Sequence, residues 1–85
     1  TTEWHAITDG GAILNHIFIK GSSGTLFNFR ILSPSGNFIF KRDNLDTELN
    51  ESPKIGLRGL YTLEITNSDP NDTYLCEFIF EDKKG

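Results

Sequence analysis

From Leu26 to Leu32 apolar and polar residues alternate. Phe27, Phe29 and Ile31 fall on one face, and Leu26, Asn28 and Arg30 on the other. A period of two is the signature of a strand with one buried and one wet side. Ser33-Pro34-Ser35-Gly36 follows, and then Phe38 and Phe40 alternate with Ile39 and Lys41. Pro34 pre-sets the φ of the second position of a type I turn, and Gly36 takes the positive φ that closes it. Leu26–Arg42 therefore reads as a β-hairpin.

The rest of the chain uses the same grammar. Trp4–Thr8 predicts a short first strand ended by a turn at Asp9-Gly10-Gly11. Along Ala12–Lys20, Ile13, Ile17 and Ile19 fall on one side and Leu14, His16 and Phe18 on the other, so neither face is purely apolar. Gly21-Ser22-Ser23-Gly24 is a second turn. Asp43–Ser52 is polar and acidic, with Leu45 and Leu49 its only apolar residues, and reads as a loop or weak edge strand. Lys54–Leu57 is a short run broken at Gly59. Tyr61, Leu63 and Ile65 then alternate with Thr62, Glu64 and Thr66, and 67–72 is a loop dense in turn formers. The last strand, Thr73–Glu81, carries Tyr74, Cys76, Phe78 and Phe80 on one face and Leu75 and Ile79 on the other. Seven to eight strands at such spacing predict an all-β fold, a small antiparallel β-sandwich. No amphipathic helix or fixed-period repeat interrupts the pattern.

Length and charge narrow the class. Eighty-five residues make one domain, 1–85, whose core must be thin because a chain of this size buries only about 60–65% of its unfolded surface. Seven Phe and no Met suit such a core, since rigid aromatics bury much area per residue. The start at Thr-Thr-Glu-Trp and the end at Lys83-Lys84 read as a segment of a larger chain. A net charge of −4 argues against nucleic acid and anionic membrane surfaces, which reward clustered Lys and Arg. No run approaches the ~18 apolar residues of a membrane span, so direct membrane insertion is not expected. Cys76 is the single cysteine and leans toward a reducing, intracellular location. The sequons Asn71-Asp72-Thr73 and Asn50-Glu51-Ser52 point to the opposite side, so an extracellular or virion surface stays open.

Catalytic constellations are not legible. A nucleophile needs a base and an orienting carboxylate. No Gly-x-Ser-x-Gly elbow accompanies His5 and His16, and Cys76 alternates with aromatics on a core face. His5, His16 and Cys76 lack the fourth ligand and the spacing of a structural zinc site. Asp43, Asp46, Glu48 and Glu51, like Asp69 and Asp72, read as solvated acidic loops rather than calcium ligands. No metal, no cofactor and no enzymatic activity are expected. Exposed aromatics and strand edges are the remaining routes to function. Tyr61 and Tyr74 point coreward, whereas Trp4 near the terminus either caps the core or stacks on a partner or glycan. The stretch from Leu45 through Leu49 to Leu57 is a candidate edge for a partner strand. Trp4, Leu45, Leu49 and Leu57 are accordingly the candidate binding residues.

Two segments together resemble the GOLD (Golgi dynamics) domain, a β-sandwich of vesicle cargo receptors and some lipid-transfer proteins. Gly24–Phe40 is similar to that family's central hairpin, an apolar strand entering a Pro-x-Gly turn. Gly59-Leu-Tyr61-Thr-Leu-Glu-Ile-Thr-Asn67 with Phe78-Ile-Phe80 is similar to its closing strands. Cargo-receptor members carry a cysteine pair, and only Cys76 is present here. The resemblance implies a GOLD-like or jelly-roll-like, non-enzymatic protein-interaction module whose partner is a protein, a second copy of the chain included. The alternative function is a carbohydrate- or cell-surface-binding module of a secreted enzyme or phage particle, with a glycan as ligand.

Overall fold

The computed structural model describes residues 2–22, 26–67 and 73–82. Six strands form one antiparallel sheet: β1 (Thr2–Gly21), β2 (Phe27–Leu32), β3 (Phe38–Leu45), β4 (Glu48–Glu51), β5 (Ile55–Asn67) and β6 (Tyr74–Asp82). The ladder runs β3-β2-β5-β1-β4, and β6 also pairs with β1. The sheet is curled into a half-barrel around its core. The all-β antiparallel expectation stands, but the described strands number six rather than seven or eight and belong to a single sheet.

The difference in count arises at two glycines. Asp9-Gly10-Gly11 is not a chain reversal but an irregularity inside a 20-residue strand. Gly11 takes φ 88°, and the register with β5 shifts between Thr8 and Ala12. Gly59 takes φ 99° and lies opposite Thr8, so it bends β5 without ending it. Turn-forming residues within a continuous ladder make bulges and bends, because the pairing on either side keeps both strands running. Four expected short strands thereby fuse into two long ones.

The register also places β4. Over Ala12–Gly21 one edge of β1 is taken by β6. The other edge is taken first by β5, from Thr2↔Ile65 to Leu14↔Ile55, and then by β4, from Ile17↔Glu51 to Lys20↔Glu48. β4 and β5 therefore lie end to end along β1, separated by 52–54, where Lys54 has φ 53°. The acidic stretch expected as a loop or weak strand is thus partly β3, partly β4.

The core is the inner face of the curl. Leu14, Ile17, Ile19, Phe27, Phe29, Ile31, Phe40, Leu49, Leu57, Leu63 and Ile65 are buried. Ile17 and Ile19 point inward as their alternation implies, but Leu14 joins them although it stands an odd number of residues away. The register with β6 shifts between Leu14 and His16, and the extra residue, Asn15, moves the inward parity by one. β2 and β6 never pair, yet they face each other across the core. Phe27 meets Tyr74 edge-on at 5.2 Å, and Phe29 stacks on Phe78 at 5.9 Å and meets Phe40 edge-on at 6.0 Å.

The hairpin follows its turn chemistry. The Gly36 amide donates to the Ser33 carbonyl at 2.9 Å, the Ser33 amide donates to the Asn37 carbonyl at 2.8 Å, and Gly36 has φ 88°. At the far end of β3 the irregularity between Phe27 and Phe29 is held by Asn28. Its Oδ1 accepts from the Asn44 amide at 2.9 Å, and its Nδ2 donates to Thr66 Oγ1 at 3.3 Å. Asn44 has φ 55°, a conformation Asn tolerates better than most side chains.

Candidate interaction edges

β3 and β4 are joined by only Asp46-Thr47, so the curl brings one rim of the sheet beside the other. Arg42 closes this seam. Its Nε and Nη2 donate to Glu51 Oε2 and Oε1 at 2.8 and 2.9 Å, its Nη1 donates to the Lys41 carbonyl, and its guanidinium lies 4.2 Å from the Phe40 ring centroid. The two-pronged geometry matches a planar fork to a carboxylate. Hydrogen bonding to Glu51 raises the Arg42 pKa, partly offset by desolvation. Thr47 bridges the seam with φ 75°, an unusual backbone for a β-branched residue, and its carbonyl accepts from the Gly21 amide at 2.9 Å.

This geometry decides what the segment 45–57 can offer a partner. Leu49 and Leu57 are buried, and Leu45 packs against the core from the end of β3. A partner arriving here meets backbone and polar side chains, with these leucines beneath. Trp4 pairs through its backbone with Leu63, and its side chain lies outside the described part of the molecule. Along β1 the backbone register sets Leu57 opposite Ala12 and Leu49 opposite Ile19, whereas Trp4 lies opposite Leu63.

The titratable candidates are likewise dispersed. Asp43 lies 3.5 Å from Arg30 and 3.4 Å from Lys41, and Glu51 holds Arg42. His16 Nδ1 is 2.7 Å from Ser52 Oγ, and His5 Nδ1 is 3.4 Å from Thr62 Oγ1. Cys76 is half-buried opposite Ile19, and burial pushes its thiol pKa up. Among the described residues no three His, Cys, Asp or Glu side chains gather as metal ligands do. Asp69, Asp72 and the sequon Asn71 lie outside the described residues.

The outstanding exposed feature is β6. Among the described residues its one ladder partner is β1. Tyr74, Cys76 and Phe78 turn toward the core, while Leu75, Glu77, Ile79 and Glu81 face outward. Leu75 is 67% exposed and Ile79 45%, with Phe80 at the rim 40% exposed. Glu81 accepts from Asn15 Nδ2 at 2.9 Å. Glu77 lies opposite Phe18 and makes no ion pair among the described residues. A shallow recess of about 300 Å³ opens beside Leu75, between Lys20–Ser22 and Thr73–Tyr74. The sequence carried a signal for these side chains: Thr73–Glu81 places Leu75 and Ile79 on the face opposite Tyr74, Cys76 and Phe78.

No family model, curated protein or solved structure matches the chain.

Proposed function

We propose that this chain is a non-enzymatic protein-interaction module that binds by accepting an extended segment of a partner at the edge of its sheet. The observation that carries the reading is β6, a nine-residue strand paired along one edge among the described residues, with Leu75 and Ile79 exposed on its outer face. A sheet edge beside exposed apolar side chains offers the two components of strand addition: ladder hydrogen bonds for affinity and side-chain contacts for selectivity. On this reading the curled sheet is a GOLD-like or jelly-roll-like scaffold. The contact between Phe29 and Phe78, on strands that do not pair, supports a layered core of that kind.

Selection from a random displayed-peptide library, followed by amide hydrogen exchange of the complexes, tests this. Enriched peptides are expected to be rich in β-branched residues and to slow exchange along one sheet edge. A library that enriches nothing, or binders that protect no strand edge, refutes the proposal. A specific glycan-array signal abolished by Trp4→Ala would instead establish the carbohydrate-binding alternative.

A further inference from the structure

Resting on the reading of the chain as an interaction module, we infer that the outer face of the sheet around Phe18 and Glu77 receives a partner surface presenting an arginine ringed by apolar side chains. This face is built by β1 and β6. Ile17 and Ile19 point into the core, so Phe18 between them points outward, directly opposite Glu77. His16 lies opposite Ile79, and Lys20 opposite Leu75. Directly opposed side chains on one face stand about 5 Å apart at Cβ, and diagonal neighbours come within about 8 Å. Leu75 and Ile79 are therefore the diagonal neighbours of Phe18, and Glu77 sits in the middle of this apolar trio.

Two groups of the face stand without a complement. Glu77 is exposed and makes no ion pair among the described residues. The half-buried Phe18 ring neither meets another aromatic nor carries a cation among the described residues. The polar groups around them already have counterparts. Lys20 lies opposite Glu48 of β4, His16 meets Ser52, and Glu81 accepts from Asn15.

A guanidinium satisfies both groups at once. Its plane lies on the face of the Phe18 ring while its N–H fork reaches the Glu77 carboxylate. Apolar side chains around that arginine cover Leu75 and Ile79 and keep water from the ion pair, as at interface anchors generally. Neither contact uses the backbone of β6, so the site does not depend on what lies along that strand's edges. The net charge of −4 draws the same cationic partner at long range. A second copy of this chain is the poorer occupant. The cation it would bring from this face is Lys20, which has Glu48 opposite it and lacks the planar fork.

The test uses the acetylated peptide amide Leu-Arg-Leu and a twin in which citrulline, a neutral isostere, replaces arginine. Each is titrated at low salt into the protein carrying carbon-13 leucine and isoleucine methyls, and binding is read by NMR. The arginine peptide is expected to bind at least about threefold more tightly, the combined worth of a cation–ring contact and an exposed ion pair. Its saturable shifts should fall on the Leu75 and Ile79 methyls. Glu77→Gln, with an otherwise unchanged methyl spectrum, should remove most of the difference, and Phe18→Leu should reduce it. Equal binding of the two peptides, a preference that survives Glu77→Gln, shifts confined to other methyls, or no saturable shift with either peptide overturns the inference. Movement of the Leu75 and Ile79 methyls on concentrating the protein alone assigns the face to a second copy and overturns it too. The strand-addition reading is decided separately: library peptides that protect a strand edge keep it standing whatever the tripeptides do, and a library that enriches nothing refutes it.

Discussion

Phe29 is where the two arms of the curled sheet meet, and its truncation measures how much of the fold depends on that meeting. The side chain is fully buried. Its ring stacks on Phe78 of β6 at 5.9 Å and meets Phe40 of β3 edge-on at 6.0 Å. Removing a buried phenyl ring costs about 3–5 kcal/mol in transfer free energy and cavity. Each aromatic pair accounts for about 0.5–1.5 kcal/mol beyond its area. A chain of this length has about 4–13 kcal/mol to lose, at ~0.05–0.15 kcal/mol per residue. Phe29→Ala should therefore remove about a quarter or more of the total stability. With a urea slope near ~1 kcal/mol/M, the denaturation midpoint should fall by about 3 M or more. If the parent midpoint is below that, the variant is unfolded in buffer. Phe38→Ala is the control. That ring is 54% exposed and contacts Arg30 at 5.3 Å, so its loss should cost under about 1 kcal/mol. A double-mutant cycle between Phe29 and Phe78 should return a coupling of about 0.5–1.5 kcal/mol. Equal midpoints for the two alanine variants, or no coupling across that pair, would show that β2 and β6 do not face each other across one core.

Three further outcomes follow from local geometry. Arg42→Ala should lower stability by about 1 kcal/mol, because the fork to Glu51 is largely solvent-screened but combines with the contact to Phe40; Arg42→Lys should recover less than half in the same urea titration. Gly59→Ala should cost about 1–3 kcal/mol, since alanine disfavours φ 99° and its Cβ would lie 3.3 Å from Pro34 Cγ. Gly56→Ala, which meets open space, should be within about 0.5 kcal/mol of the parent, and thermal melts of the pair decide the point. Burial raises the Cys76 pKa, so its contribution to stability is intact below the ordinary thiol pKa and declines as pH rises toward the folded value. Ellman titration should accordingly find Cys76 slow in the native protein at pH 8 and fast in urea, and a native rate equal to the unfolded rate would contradict its burial.

Much of the local structure was legible from residue order alone. The period of two in 26–32, the turn at 33–36 and the alternation in 61–66 each specify a strand or reversal through side-chain geometry and φ restriction within a few residues. Phe27, Phe29, Ile31, Leu63 and Ile65 are buried as that alternation implies. What sequence order left open depends on non-local partners. Gly11 and Gly59 have the composition of turns, yet both bend continuous strands, because ladder partners lie on either side of them. Leu14 changes face through a bulge that exists only against β6. Leu45, Leu49 and Leu57 were expected along an exposed strand edge. Leu49 and Leu57 are buried and Leu45 packs against the core, a placement that depends on the pairing of β4 and β5 with β1. The place of β6 belongs to the same class: alternation says that a strand has two faces, but only the assembled ladder says that it pairs with β1.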